Sequence, residues 1–340
     1  MRTLSCLSLL LLGLALTQAA ALHQTHQEWR EFKSTYTKEY ASEEEEQSRF
    51  AIFLDNKRII VEHNALYDSG EISWELGMNE FGDLTEEEFK ARYLGQVLPK
   101  ENKENCQIYR GWIETPDSYD WRNEGAVTEV KDQGFCGSCW SFAATGSMEG
   151  QYYRGNGELV SMSEQNLLDC AQNWGCNGGG RSDITLKYVH ENGTNSEAAY
   201  PYEMDQDSCR QSSNDPIYHC SGCTYTIVGS EDDLRMALVD EGPVAVAIDA
   251  SPLNFMFYRS GIIDDPDCGT DYPDINHAVL AVGYDSEANG IFGSKAYWII
   301  KNSWGKSWGS DGYFNLAKDK HNMCGVSTDT ALAKAPCYQA

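Results

Sequence analysis

The chain runs to 340 residues and carries 26 Lys and Arg against 52 Asp and Glu, a formal charge of −26. The acidic excess persists from Thr115 onward, which argues against nucleic-acid or anionic-membrane partners and suits an acidic compartment, where self-repulsion falls as carboxylates are neutralised. The length accommodates one two-lobed domain with a helical appendage, since domains run about 50–250 residues.

Arg2, an apolar run from Leu4 to Leu16 and the small residues Ala19, Ala20 and Ala21 have the three-part layout of a secretory signal peptide over residues 1–21. That run is too short to span a bilayer, and no later stretch reaches the roughly 20 apolar residues a spanning helix needs, so no membrane partner is expected. Twelve cysteines on an oxidising route argue for disulfides, with Cys6 leaving alongside the leader. Residues 23–92 read as helical, with apolar side chains at Phe50, Phe53, Leu54, Ile59 and Ile60. The run Glu43–Glu46 reads as a solvated face or as the acidic first turn of a helix. Residues 93–114, with Pro99 and the mixed charges Lys100-Glu101-Asn102-Lys103-Glu104, read as an exposed linker open to cleavage. Helices are expected over 139–153, 163–171 and 182–191. The short β-branched runs 244–248, 278–282 and 297–300 read as buried strands. Asn192-Gly193-Thr194 is an N-glycosylation acceptor or an unused surface turn.

Three segments carry reactive side chains: Gln133-Gly134-Phe135-Cys136-Gly137-Ser138-Cys139-Trp140, Asn276-His277-Ala278 and Lys301-Asn302-Ser303-Trp304-Gly305. A cysteine attacks as its thiolate, so a nucleophilic thiol needs a pKa well below about 8.5. Cys139 stands at the expected start of a helix, where the dipole favours negative charge. Cys136 and Cys139 alone also fit a redox pair or half of a zinc site, although no thioredoxin-like βαβ pattern lies near. Taken together the segments resemble the papain family, whose cysteine motif is followed by its His and Asn roughly 130–150 residues on. Here His277 lies 138 residues beyond Cys139 and Asn302 lies 163 beyond it, an excess that loop insertions between the two explain. Glu45, Arg49, Phe53, Asn56, Ile60 and Asn64 fall on one helical stripe that resembles the first prosegment motif of cathepsin L-like proteases. Gly77, Asn79, Phe81 and Asp83 resemble the second.

The resemblance implies an α+β, papain-like two-lobed fold with a helical left lobe, a β-barrel-like right lobe and an N-terminal helical prodomain. It implies an inhibitory propeptide over 22–114, running backwards through the cleft, and a mature peptidase over 115–340. Cys139 is then the nucleophile and His277 its imidazolium partner. Asn302 holds the ring, Trp304 shields that bond, and Gln133 joins the Cys139 N–H as oxyanion donor. Gly179 is the expected backbone contact, and Gly180, Arg181, Ala247, Ile275, Ala278 and Asp329 the S2 pocket. Asp329 is expected either to accept a basic P2 side chain or to pair with Arg181. Disulfides Cys136–Cys176, Cys170–Cys209 and Cys268–Cys324 are implied. Cys220, Cys223 and Cys337 depart from the family pattern; Cys337 is expected to bridge to Cys220 or Cys223, leaving one unpaired or bonded elsewhere, and Cys106 has no family partner.

No cofactor and no metal are implied. The expected partners are protein or peptide substrates, the chain's own propeptide and cystatin-type inhibitors, for a monomer in a lysosome or an extracellular or digestive lumen. No adjacent His pair like that of cathepsin B is present, so an endopeptidase is expected, activated in acid as Asp83 and its neighbours lose ion pairs. Asn276 stands where many relatives have Asp, a change expected to shift the pH profile. A non-catalytic homologue is the competing reading, and the intact Gln133, Cys139, His277, Asn302 set counts against it.

Overall fold

The computed structural model describes residues 23–95, 106–171, 175–288 and 294–340; the expected leader over 1–21 and the linker stretch 99–104 lie outside them. Helix α1 covers 23–35 and α2 covers Glu43–Asp68. The acidic run forms the first turn of α2, where Ser42 accepts the Glu45 N–H at 3.2 Å, so its charges meet the positive end of the helix dipole. The stripe along α2 faces inward. Asn56 donates to the Gly82 and Leu84 carbonyls at 3.0 and 2.9 Å, Asn64 exchanges two 2.9 Å bonds with the Leu76 backbone, and Phe53 packs with Trp29 and Phe32. These side chains bind backbone that would otherwise be buried without partners. Strand β1 (Trp74–Leu76) interrupts the expected helical region, and α3 (Glu86–Tyr93) follows behind a capping box of Thr85 and Glu88.

Strands β2 (Gln107–Ile108) and β3 (Tyr119–Asp120) lead into α4 (Cys139–Asn156), which is buried from Cys139 to Tyr152. Small residues permit that burial. A Cβ on Gly146 would stand 2.6 Å from a Leu280 methyl, and one on Gly150 2.6 Å from the Pro243 ring. Helices α5 (Glu164–Cys170), α6 (Gly175–Gly178) and α7 (Ser182–Asn192) build the lobe around α4. Next come β4 (Thr194–Asn195), β5 (Ile217–Cys220), β6 (Cys223–Tyr225), α8 (Glu231–Glu241), β7 (Val244–Ile248) and α9 (Leu253–Met256). The chain ends with β8 (Tyr258–Ile263), β9 (His277–Ala288), β10 (Ser294–Lys301), β11 (Tyr313–Ala317), β12 (Asp329–Ala333) and β13 (Cys337–Gln339).

The large sheet runs β1-β8-β11-β10-β9-β7-β12-β6-β2, with β3 also on β9, and a small sheet runs β13-β5-β4. The right lobe is therefore an open sheet and not the barrel-like closure expected. Its two ends are β1 and β2, which among the described residues pair only with β8 and β6, so the described hydrogen-bonded path does not return on itself. Both end strands come from the chain ahead of Thr115, which thus supplies both edges of the sheet. The linker also departs from expectation. Cys106 and Tyr109 are buried, because a disulfide and a strand pairing hold them.

Candidate active site

Cys139 opens α4 and is 1% exposed, with its Sγ accepting the Ala278 N–H at 3.4 Å. Burial pushes the thiol pKa up against the N–H groups of Ala278, Gly95 and Trp140, which pull it down. The lowered thiol expected from the sequence is thus absent in this covered state. His277 opens β9, fully buried, with Nε2 2.8 Å from Asn302 Oδ1. The Ser303 N–H donates to that same oxygen at 2.8 Å, which fixes the amide orientation and puts the imidazole proton on Nε2. Nδ1 has no hydrogen-bond partner, and burial pulls the ring down to about 4, opposed by the Asn302 bond. Trp304, fully buried, stacks on the imidazole at 4.6 Å between centroids and an angle of 25°.

Gln133 lies beside them. Its Oε1 accepts the Ser303 hydroxyl at 2.6 Å, while Nε2 donates to the carbonyls of Cys136 at 2.8 Å and Tyr93 at 3.0 Å. Tyr93 ends α3, so the N-terminal segment has put a backbone carbonyl on the amide expected to bind an oxyanion. Two residues on, a Cβ at Gly95 would stand 3.3 Å from both Cys139 Sγ and the Gly179 Cα and 3.0 Å from the Gly137 carbonyl. A side chain there would force its neighbours to give by a few tenths of an ångström, so glycine lets the backbone pass this close to the thiol without displacement. Phe81, Phe89 and Tyr93 set their rings edge-on to Trp304 at 5.8, 5.2 and 6.4 Å.

Gly180, Arg181, Ala247, Ala278 and Asp329 line one cavity beside this thiol, together with Ser182 and Asp183. Ile275 is buried away from that lining, and Gly179 lies against Gly95 instead. Arg181, 7% exposed, makes two bonds to Asp183, Nε to Oδ1 at 2.9 Å and a terminal nitrogen to Oδ2 at 2.8 Å. Burial opposes its charge, but Asp183 and then Asp329 outweigh that and hold the guanidinium above its ordinary range. Asn276 is tied up locally, accepting the Ala250 N–H at 3.0 Å and donating to Asp249 at 3.2 Å. Asn192 is exposed at the last residue of α7.

Bonds join Cys136 to Cys176, Cys170 to Cys209, Cys268 to Cys324, Cys220 to Cys337 and Cys106 to Cys223, while Cys139 stays a free thiol. No cluster of metal-binding side chains, and no helix long and apolar enough to cross a membrane, occurs among the described residues. Sequence reasoning passed over Tyr93, Gly95, Ser303 and Asp183. Tyr93 and Ser303 act partly through backbone groups, which no residue type advertises; Asp183, two residues after Arg181, was visible as a charge pair.

Covering a thiol and its amide neighbour with the chain's own backbone makes sense where the site acts on polypeptide, and this puts the molecule among thiol peptidases stored as zymogens. The comparisons agree. The model of the papain family cysteine protease domain matches residues 115–334, and that of the cathepsin propeptide inhibitor domain matches 29–89. Digestive cysteine proteinase 2 of Homarus americanus is 43% identical over 94% of this chain and 96% of its own length. Procathepsin L of Felis catus is 41% identical over 94% and 97%. The structure of digestive procathepsin L 3 from Tenebrio molitor larval midgut superposes with a TM-score of 0.83 at 41% identity, covering 92% of this chain and 99% of that one. The chain belongs to the papain family of cysteine proteases and is a cathepsin L-type zymogen with its inhibitory propeptide in place.

Proposed function

We propose that the protein is a secreted or lysosomal endopeptidase that cleaves polypeptides through Cys139 and His277 once its propeptide has gone. The observation that carries this reading is the Gln133 amide, which donates to the Tyr93 carbonyl while Gly95 lies against Cys139. The Tyr93 carbonyl thus takes up the amide that a scissile carbonyl would use, which keeps substrate out. After the propeptide leaves, water re-enters and an ion pair becomes affordable. The Cys139 proton passes to His277 Nδ1, the unprotonated nitrogen. The thiolate attacks the carbonyl carbon, and Gln133 Nε2 with the Cys139 N–H receives the oxyanion. Nδ1–H then protonates the departing amine, and a water deprotonated by His277 hydrolyses the thioester. Asn302 and Ser303 keep the ring in the tautomer that this sequence requires.

The cavity around Arg181 is the proposed P2 site. Its Ala247 and Ala278 walls suit an apolar side chain, and its two carboxylates, Asp183 and Asp329, outnumber the single guanidinium, so a basic P2 group is accepted as well. Cystatin-type inhibitors are expected to bind the uncovered cleft, and the peptidase to act as a monomer. Five disulfides fit an oxidising route, with a glycan on exposed Asn192. The test is acid incubation of the proenzyme with Phe-Arg and Arg-Arg reporters, alongside Cys139→Ser. Cleavage that appears as the propeptide disappears, and is absent in the variant, supports the reading; a processed but inert wild type would replace it with a non-catalytic homologue. Asp329→Ala should lower Arg-Arg hydrolysis far more than Phe-Arg hydrolysis, and equal losses would remove the basic P2 proposal.

A further inference from the structure

The Cys106–Cys223 disulfide joins the chain ahead of the family peptidase domain, which begins at 115, to the peptidase lobe itself. Both cysteines are buried, at 8% and 3% exposure, in the core around α4. The residues that follow are held too. β2 lies parallel to β6 with Gln107 opposite Thr224, and the Tyr109 N–H donates to the Tyr225 carbonyl at 2.7 Å. The Tyr109 hydroxyl donates to Asp240 at 3.0 Å, and Lys334 Nζ to the Gln107 side chain at 2.6 Å. Beyond Tyr109 the chain becomes more exposed at Arg110, Trp112 and Glu114, with Trp112 at 85%. The inhibitory part upstream, by contrast, is held on the peptidase among the described residues by noncovalent contacts, such as the Tyr93 carbonyl on Gln133 and the Phe89 ring on Trp304.

We propose that residues 106–109 are a permanent part of the active peptidase: productive maturation cuts on the N-terminal side of Cys106, and the disulfide keeps β2 on the edge of β6. The proposal rests on the zymogen reading above. A single cut after Cys106 would leave the whole inhibitor tethered through the Cys106–Cys223 bond. Its effective concentration at the cleft would then be in the millimolar range, so it would keep rebinding. A cut before Cys106 frees the cleft outright. A further cut in the exposed stretch after Tyr109 merely nicks the chain, and the small peptide remains bonded to Cys223. The retained strand also covers the backbone edge of β6. There the Cys223 sulfur lies 4.0 Å from the carbonyl of Asp183, the residue that holds Arg181 in the proposed P2 cavity.

The test is to mature the proenzyme without reductant, by its own cutting in acid and separately by a small amount of an already active papain-type protease. Intact mass before and after reduction, with non-reduced peptide mapping, then follows Cys106. The expected mature species contains Cys106 bonded to Cys223, and a dithiol, oxidised as it reduces that bond to two thiols, either changes nothing further or releases one short peptide. An unreduced mature species lacking Cys106 overturns the proposal, as does a map that joins Cys223 elsewhere. Failure to shorten in acid would count against self-maturation alone, because the added protease still decides retention. The double variant Cys106→Ser, Cys223→Ser, once matured, should melt about 5–10 °C lower; an unchanged Tm would show that the bond anchors nothing.

Discussion

Burial keeps both reactive groups of the zymogen neutral, the Cys139 thiol above its ordinary pKa and the His277 imidazole at about 4. Inhibition is then expected to be electrostatic as well as steric, because burial disfavours the charged form of both members of a thiolate–imidazolium pair. Alkylation by iodoacetamide at pH 6 should accordingly be at least about 10-fold slower for Cys139 in the intact proenzyme than after propeptide removal. Equal rates would mean that the cover shields the thiol from substrates but not from charge. Gln133 gives a second prediction. Its Nε2 is expected to meet charge that exists only in the transition state, so Gln133→Ala should lower kcat on the order of 10²–10³-fold with little change in KM. A rise in KM with kcat intact would reassign Gln133 to substrate binding. The motif residues were legible in the sequence because each displays its chemistry in its side chain and all stand within short, unusual strings. The Tyr93 carbonyl and the Gly95 passage were not, since a main-chain atom has the same identity at every position.

At the scale of elements, an ion pair ties α3 to α2, and two carboxylates of the propeptide respond oppositely to acid. Glu88 makes two bonds to Arg49, at 2.6 and 2.8 Å, and that pairing holds its carboxyl below the ordinary 4.5. Its stabilising contribution is complete above pH 4.5 and is lost as pH falls through the lowered value. Glu80, between β1 and α3, is pushed up to about 7 by burial and then by Asp132. The docked propeptide therefore holds that proton more tightly, so this contribution is complete below 4.5 and is lost as pH rises toward 7. Acid down to pH 4.5 should tighten the propeptide, and stronger acid should loosen it. Hydrogen exchange of the inert Cys139→Ser proenzyme checks this, with α2 and α3 best protected near pH 5 and opening below 4.5. Glu80→Gln should remove the neutral limb and Arg49→Ala the acid limb; protection that falls steadily from pH 7 would contradict the assignment. The stripe of Arg49, Asn56 and Asn64 was readable from its 3.6-residue period, whereas β1 was hidden, because its pairing to β8 spans 185 residues between Glu75 and Ser260 and leaves no local pattern.

Across the whole molecule the two lobes meet on a buried charge cluster behind Asn302. Lys131 bonds Glu149 at 3.0 Å and Glu164 at 2.6 Å, and Lys301 bonds Thr128 at 3.0 Å, which in turn donates to Glu149 at 2.6 Å. Burial opposes the Lys131 charge, but the two carboxylates outweigh it, so this lysine stays ionised. Glu149 stays ionised too: burial works against it, and Lys131 with Lys301 wins. Glu164 is pushed up to about 7, by burial first, with Glu149 and Glu197 adding to it against Lys131. Its folded pKa exceeds the ordinary 4.5, so the associated stability is fully present below pH 4.5 and disappears as pH rises through about 7, an effect on the order of 3 kcal/mol. Lys301, pulled down to about 8 by burial, acts in the opposite sense only above that value, where the folded chain has given up a proton that the unfolded chain still holds up to 10.5. Between pH 5 and 8 the Glu164 contribution is therefore opposed by neither lysine, and Glu197 beside it, raised by burial as well, acts in the same sense. The matured peptidase should lose several degrees of Tm across this window, and Glu164→Gln, which keeps the shape and an acceptor for Lys131, should flatten the curve. Lys131→Met should instead destabilise at every pH by about 3–5 kcal/mol, because it strands two buried carboxylates. A wild-type Tm independent of pH from 5 to 8 would show that Glu164 shares its proton through the network.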